Sequence, residues 1–294
     1  MSETGAVLPG STASAGSRAV LAGPHPARAL EVALRPARAL AGRVRRGVLP
    51  AAGLLAALAL WTAFTGPWSP PLARAFAPDR AAAALARLVL SGTLEPHVAG
   101  SLARIVVGVG LAFVAGVPTG ILIARSRAAE GATNAVFPLL RMISPLTWMP
   151  IAVMAFGIGD PPVVFLVAVA AVWPVLLSTA HGVASVDPRW VAAARTLGAG
   201  QRELVRRVLV PAALPDVLTG LRLALGVAWI VLVPAEMLGV RSGLGYFILD
   251  TRDRFAYDEL AALVIVIGAI GYALDAAVRT LQRRLSWNAR DERR

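Results

Sequence analysis

From residue 47 onward the chain repeats one motif of pattern: an apolar run of about twenty residues, then a short break rich in Pro, Gly or Arg. A run of that length crosses a hydrocarbon core roughly 30 Å thick as a helix. The pattern predicts an all-α polytopic membrane protein with six spans, at 47–68, 101–124, 133–156, 162–182, 215–239 and 259–280. The first run, after Arg45 and Arg46, is too long for the apolar part of a cleaved leader and reads as a span. Gly108, Gly116 and Gly120 in the second run supply small positions for close helix packing. The third run is interrupted by Arg141, Pro145 and Pro150. Three stretches break the apolar pattern. Residues 1–46 mix Gly, Ser, Ala and Pro with seven Arg and no sustained apolar face, so a disordered tail is expected there, with a second short tail at 288–294. Residues 69–98 suit amphipathic helices at the membrane interface. Residues 185–212 interleave five Arg with apolar positions at helical spacing, the pattern of an amphipathic helix outside the membrane.

Composition agrees with lipid as the solvent: of 294 residues, 57% are hydrophobic and 16% charged. The formal charge of +12 invites a nucleic-acid reading, and its placement decides against one. Twenty Arg fall in the N-terminal tail, the two breaks on its side and the C-terminal region, against six in the two breaks on the other side. Arg in short flanking segments favours the cytoplasm. Both termini and residues 185–212 are therefore expected in the cytoplasm, with the protein in the cell membrane, and the charge is topology rather than nucleic-acid recognition. All 29 basic residues are Arg. Without Lys the chain has no Walker A loop and no Schiff-base amine. Cys is absent, and His25, His97 and His181 lack metal-ligand spacing, so no metal site is expected. No GxSxG or HExxH is present to support an intramembrane enzyme. An autonomous secondary transporter has no use for the long basic loop at 185–212 and would be expected to show an inverted repeat, which is not detectable.

Within that loop Ala192-Ala193-Ala194, then three residues, Gly198, nine residues, Val208 and, three further on, Pro211 reproduce a spaced signature. It resembles the EAA signature of ABC importer permeases, with two departures: Ala192 stands where Glu is usual and Val210 where Leu is usual. The resemblance runs from about Ser101 to Trp287, and PLTWMPIAVMAFGIGD (145–160), VWPVLLSTAHGV (172–183) and PAEMLGVRSGLGYFILDTRDRF (234–255) look like the nitrate, sulfonate and taurine branch, the last closest to the nitrate type. What it implies is a type I (MetI-like) importer half acting as a homodimer, a separate ATPase that holds ATP and Mg, and an extracytoplasmic solute-binding protein. The chain itself would carry no cofactor. It also implies a helix-turn-helix docking on the ATPase, in which Ala192, Ala193, Ala194 and Gly198 allow close approach and the turn. Arg195, Arg202, Glu203, Arg206 and Arg207 would supply polar contacts to the ATPase or to lipid headgroups. The substrate implied is a small anion, or another small solute of the same family.

A charge inside a span costs about 2.5–3.5 kcal/mol on insertion scales, so intramembrane ionisable residues are functional candidates. Arg141 could offer bidentate hydrogen bonds to an oxyanion, or pair with Glu236 or a helix-end carbonyl. Arg222, with Asp216, sits near the cytoplasmic end of span five, where snorkelling or packing on the loop competes with substrate contact. Glu236 could serve a gate, and an ion pair is the better expectation for a carboxylate in an anion path. Asp275 and Arg279 stand at i,i+4. Trp148 and Trp173, with Met149 and Met154, could line a constriction or pack. Gly243, Gly245 and Tyr246 read as an exposed loop meeting a binding protein.

Overall fold

The computed structural model describes Leu49 and residues 51–285; both predicted tails, 1–46 and 288–294, lie outside the described residues. The chain divides into two units, residues 1–60 and 61–294. Of the first, the described part belongs to helix α1 (Ala51–Phe64), whose Leu54 and Leu55 are exposed. The second unit is helical, with no strand among the described residues. Its order is α2 (Pro71–Ala75), α3 (Pro78–Leu90), α4 (Leu94–Arg125), α5 (Arg127–Met142), a 3₁₀ turn (Pro145–Trp148), α6 (Met149–Phe156) and α7 (Asp160–Ala184). Then come α8 (Pro188–Thr196), α9 (Gln201–Leu204), a π turn (Val205–Leu209), α10 (Val210–Gly239), α11 (Leu244–Asp253) and α12 (Tyr257–Leu285).

Four of these units are long and apolar enough to cross a membrane: α4, α7, the continuous Gln201–Gly239 and α12. The predicted third span is a fifth only if two pieces count as one, because Gly131–Met142 and Pro145–Phe156 meet at 85°. The break falls at Ile143-Ser144, where the residue before Pro145 leaves the helical region (ψ 129°). Helix α1, at about 21 Å of rise, is shorter than a hydrocarbon core of roughly 30 Å. Length and composition thus give four to five crossings among the described residues, against the six expected.

Local chemistry explains the other boundaries. Asp160 with Pro161 and Pro162 opens α7 in the positions where a missing N–H and a negative charge are favourable. Ser126 caps α5 by accepting from the Ala129 N–H at 3.2 Å. The core is the contact of α4, α7 and α10, filled by Ile105, Val109, Val163, Leu166, Val167, Ala228 and Leu232, with Met149 and Ala152 of α6 closing one side. Close approach here is glycine-dependent. A Cβ at Gly108 would lie 2.5 Å from Val167 Cγ1, and one at Gly120 would lie 2.6 Å from the Leu176 carbonyl oxygen, so the small positions of the second run face α7. A second cluster joins α3, α11 and α12 through Ala84, Leu88, Leu244, Phe247 and Leu263. Away from these contacts Val106, Val114, Ile230 and Val264 point outward as exposed apolar side chains, a surface that lipid accepts and water does not.

Candidate functional site

Two constellations stand at opposite ends of the α4–α7–α10 core. The first is the segment after α7. Asp187 caps α8, its Oδ1 accepting from the Arg189 N–H at 2.8 Å, and Pro188 occupies the first turn. The helix ends in a Schellman arrangement: the Gly198 N–H donates to the Arg195 carbonyl at 3.0 Å and the Ala199 N–H to the Ala194 carbonyl at 3.0 Å. Gly198 has φ +83°, the left-handed conformation this cap requires. Val191 and Ala194 pack inward on Val183, Leu204, Val205, Val208 and Leu209, fixing α8 to the ends of α7 and α10. The other side of α8 stays open: Trp190, Ala192, Ala193, Arg195 and Leu197 are exposed, Leu197 to 88%. Trp190, Ala193 and Leu197 fall at i, i+3 and i+7 and form one stripe.

The expected helix-turn-helix is therefore present, and its second arm is continuous with a long span. Through the π turn, α9 runs directly into α10, with Arg206 exposed and Arg207 paired with Glu203 at 2.8 Å. Val208 is half-buried and Pro211 exposed in the first turn of α10. Arg125, the last residue of α4, donates from Nη2 to the Gln201 side chain, joining a third core helix to this element.

The second constellation is a buried polar knot at the other end. Arg104, 3% exposed on α4, has all five N–H directions occupied. Nε and Nη2 donate to Asp160 Oδ1 at 2.9 and 2.7 Å, Nη1 to Glu236 Oε1 at 2.5 Å and to the Ser242 carbonyl at 3.0 Å, and Nη2 also to Ser242 Oγ at 2.8 Å. Glu236, fully buried on α10, accepts further bonds from Ser101 Oγ (2.8 Å to Oε1) and from the Gly245 N–H (2.9 Å to Oε2). Ser101 Oγ in turn accepts from the Leu244 N–H at 2.9 Å, and His97 Nδ1 accepts from the Gly243 N–H at 3.1 Å. The Gly159 N–H donates to the Gly239 carbonyl at 3.1 Å. The starts of α4, α7 and α11 and the end of α10 are thus tied at one point. From Arg104 to Arg125 along α4 is about 31 Å, the thickness of a hydrocarbon core.

This geometry corrects three expectations. Glu236 forms the expected ion pair, but with Arg104, not with Arg141; Arg104 stands at the edge of the predicted span 101–124, where a charge reads as a boundary residue. Gly243 and Gly245 are not an exposed loop. Both are buried at the start of α11, where a Cβ on Gly245 would lie 2.1 Å from the Val233 carbonyl oxygen. Arg222 is held by Asp275, Nε to Oδ1 at 2.7 Å, and Asp275 also takes Arg279 at 3.2 Å. Trp148 packs half-buried against the core, and Trp173 meets Phe137 edge-on at 5.3 Å. Arg141 is exposed, near the broken end of α5, with no ion-pair or hydrogen-bond partner among the described residues. No cluster of three or more metal-ligating side chains occurs among the described residues.

Comparison with known proteins places the chain in a family. Residues 116–287 match the model for the binding-protein-dependent transport system inner membrane component. The bicarbonate transport system permease protein CmpB of Synechococcus elongatus is 35% identical over 246 residues, 80% of this chain and 88% of that one. The taurine transport system permease protein TauC of Escherichia coli is 37% identical over 197 residues, 67% of this chain and 72% of that one. The nitrate import permease protein NrtB of Leptolyngbya laminosa is 35% identical over 189 residues, covering 64% and 68%. In fold, the chain is similar to an inward-facing structure of the MetNI methionine ABC transporter, with TM-score 0.58 and 21% identity over 65% of this chain and 95% of that one. It is likewise similar to a bacterial ABC transporter involved in import of the polysaccharide alginate, with TM-score 0.53 and 17% identity over 83% and 98%. A family match over more than half of the chain, and relatives above one-third identity over two thirds or more of it, establish that it belongs to the binding-protein-dependent transport system inner membrane components, the permease subunits of ABC importers.

Proposed function

We propose that this permease, as one of two identical copies in the cell membrane, forms the path for a small oxyanion of the nitrate, bicarbonate, sulfonate or taurine kind, and that it is driven through α8 by a separate ATPase. Family membership implies ATP-binding subunits and a solute-binding protein as partners. ATP and Mg would be held by the ATPase chain, with no cofactor on this one. Both termini and α8 would face the cytoplasm, and the knot around Arg104 the outside. Ala192, Ala193, Ala194, Arg195 and Gly198 would meet the ATPase, with Glu203, Arg206, Val208 and Pro211 in the arm that carries the motion.

The observation that carries the reading is the stripe Trp190, Ala193, Leu197 on α8: apolar, exposed and rigidly backed by the Val191 and Ala194 face. An exposed stripe on a helix locked by a cap and a packed inner face is shaped for a partner's groove. Leu197→Arg removes a buried apolar contact of about 1.5–3 kcal/mol in the complex while costing the isolated permease almost nothing. Association with the ATPase subunits, measured by co-purification or surface binding, should weaken by at least about tenfold. Undiminished association would exclude this face as the docking site.

The anion half of the reading rests on Arg141. Arg104 of α4 and Arg222 of α10 are neutralised by carboxylates, whereas Arg141, in the last turn of α5, is exposed and has no ion-pair or hydrogen-bond partner among the described residues. A guanidinium left unspent beside a broken span suits a substrate that brings its own negative charge. Loss of one charge-assisted hydrogen bond is worth about 1.5–3 kcal/mol. Arg141→Gln should therefore raise the substrate concentration for half-maximal ATP-driven uptake into proteoliposomes by about ten- to a hundredfold. Trp148, Trp173 and Arg222 are the other candidates for the path, with Glu236 acting on it only through the knot. An uptake curve for Arg141→Gln that overlays the wild-type curve would remove Arg141 from the path.

A further inference from the structure

Residues 62–80, ahead of the family match, enclose an open cavity of about 370 Å³ that neither the helical core nor α8 uses. Thr62, Thr65, Arg74, Ala77, Asp79 and Arg80 line it. Its volume lies within the range of small-ligand sites. Hydrogen bonds hold its walls: Trp61 Nε1 donates to the Phe76 carbonyl at 3.0 Å, Thr65 Oγ1 to the Trp61 carbonyl at 2.9 Å, and Arg74 Nε to the Ser69 carbonyl at 2.9 Å, with Arg74 Nη2 reaching the Pro67 carbonyl. Arg74 spends two of its five N–H groups this way. Arg80 and Asp79 have no ion-pair or hydrogen-bond partner among the described residues.

The surroundings decide what such a pocket would hold. It opens where the apolar helix α1 stops, and beside it Trp68 (97% exposed), Phe64 and Leu72 present large apolar side chains to the outside. Guanidinium groups next to exposed Trp, Phe and Leu match the depth at which acyl chains give way to phosphates. A free inorganic anion would use the guanidinium groups and leave the apolar flank uncovered. A phospholipid uses both. We propose that this cavity binds the phosphodiester headgroup of a membrane phospholipid. Arg74 and Arg80 take the phosphate oxygens, Asp79 takes a primary amine when the headgroup has one, and the acyl chains lie along Phe64, Trp68 and Leu72. The bound lipid would steady α3, which reaches α12 through the Arg87–Asp258 ion pair (2.5 Å) and the Ala84 and Leu88 contacts. The inference rests on membrane residence and is independent of the substrate and of α8.

Native mass spectrometry of the full-length permease, released from detergent with phosphatidylglycerol, phosphatidylethanolamine or diacylglycerol, tests it. The wild type should retain both phospholipids and not diacylglycerol, and excess inorganic phosphate should not displace them. Arg80→Gln disturbs no hydrogen bond among the described residues and should lower phospholipid retention about fivefold, the equivalent of about 1 kcal/mol for one basic residue at the membrane surface. Asp79→Asn should lower retention of phosphatidylethanolamine and spare phosphatidylglycerol. Unchanged retention in Arg80→Gln overturns the proposal. So does equal retention of diacylglycerol, which would mean apolar contact alone, or displacement by inorganic phosphate, which would mean a site for a free anion.

Discussion

Glu236→Leu will be the most damaging single substitution in the described bundle, lowering stability by about 3–5 kcal/mol, because it strands the buried Arg104 charge. It also frees the Gly245 N–H and the Ser101 hydroxyl, both of which now donate to the Glu236 carboxylate. Asp160 still faces Arg104 but is 68% exposed at its side chain, so it offers only a solvent-screened partner and places the effect towards the lower end of that range. An ordered series follows. Glu236→Gln keeps the shape and one acceptor and should lose less than Glu236→Leu; Asp160→Asn should cost at most about 1 kcal/mol. Removing both charges, as in Arg104→Met with Glu236→Leu, should recover much of the loss, since a buried pair contributes little net stability beyond what apolar packing can supply. Thermal unfolding in detergent, followed by size-exclusion monodispersity, reads the series. A neutral Glu236→Leu, or an Asp160→Asn as harmful as Glu236→Leu, would contradict the assignment of the knot as the clasp of its end of the core.

The second large effect is expected at Gly198, and it should be functional rather than structural. A Cβ at this position would meet nothing within 4 Å, so bulk inside the chain is not the obstacle. Backbone conformation is, because φ +83° costs an L-residue about 1–2 kcal/mol and a β-branched one more. Gly198→Val should therefore unmake the Schellman turn, swing α8 off its backing and cut ATP-driven uptake by at least about tenfold. Stability of the helical core should stay within about 1 kcal/mol of wild type, since α8 contributes only its inner Val191 and Ala194 face. Gly198→Asn should keep most of the activity, because Asn tolerates the left-handed region. Equal uptake by the Val and Asn variants would show that the turn does not transmit the motion.

The two sites differ in how visible they were from the chain alone. The α8 element was legible because its information is local: a cap, a turn glycine and an apolar stripe lie within 187–211, and their spacing survives translation into any tertiary context. The knot was half legible. Glu236 stood out as a costly charge, and an ion pair was the better expectation, but its partner is 132 residues away on another helix. The second span was expected to begin at 101, which put Arg104 at its edge, where a charge reads as a boundary residue. Helix α4 in fact starts at Leu94 and carries Glu95, Pro96 and His97 in its first turns, so Arg104 lies well inside. Counting every charge in every apolar run would have found it.

Hydrophobic periodicity likewise foresaw α7, most of α10 and α12, whose apolar runs are long and whose breaks are marked by Gly, Pro or charge. It overran at the third span. Pro145 and Pro150 were visible as interruptions, yet whether they kink one helix or separate two is set by packing, here of α6 against α7 and α10. It underran between spans five and six, where a polar stretch folds as α11 because its Leu244 and Phe247 have Ala84, Leu88 and Leu263 to bury against.

By itself, the amino-acid sequence determined that this chain lives in a membrane, where its main helices lie, which loops carry the positive charge and where the α8 turn must fall. Each of those is a property of neighbouring residues and of their transfer between water and lipid, and needs no knowledge of what lies across the bundle. The tertiary structure decided which charges are spent and which are free. Arg104, Arg222 and Arg141 are chemically the same side chain, and only the arrival of Glu236 and Asp275 from distant helices makes clasps of the first two, while Arg141 has no such partner among the described residues.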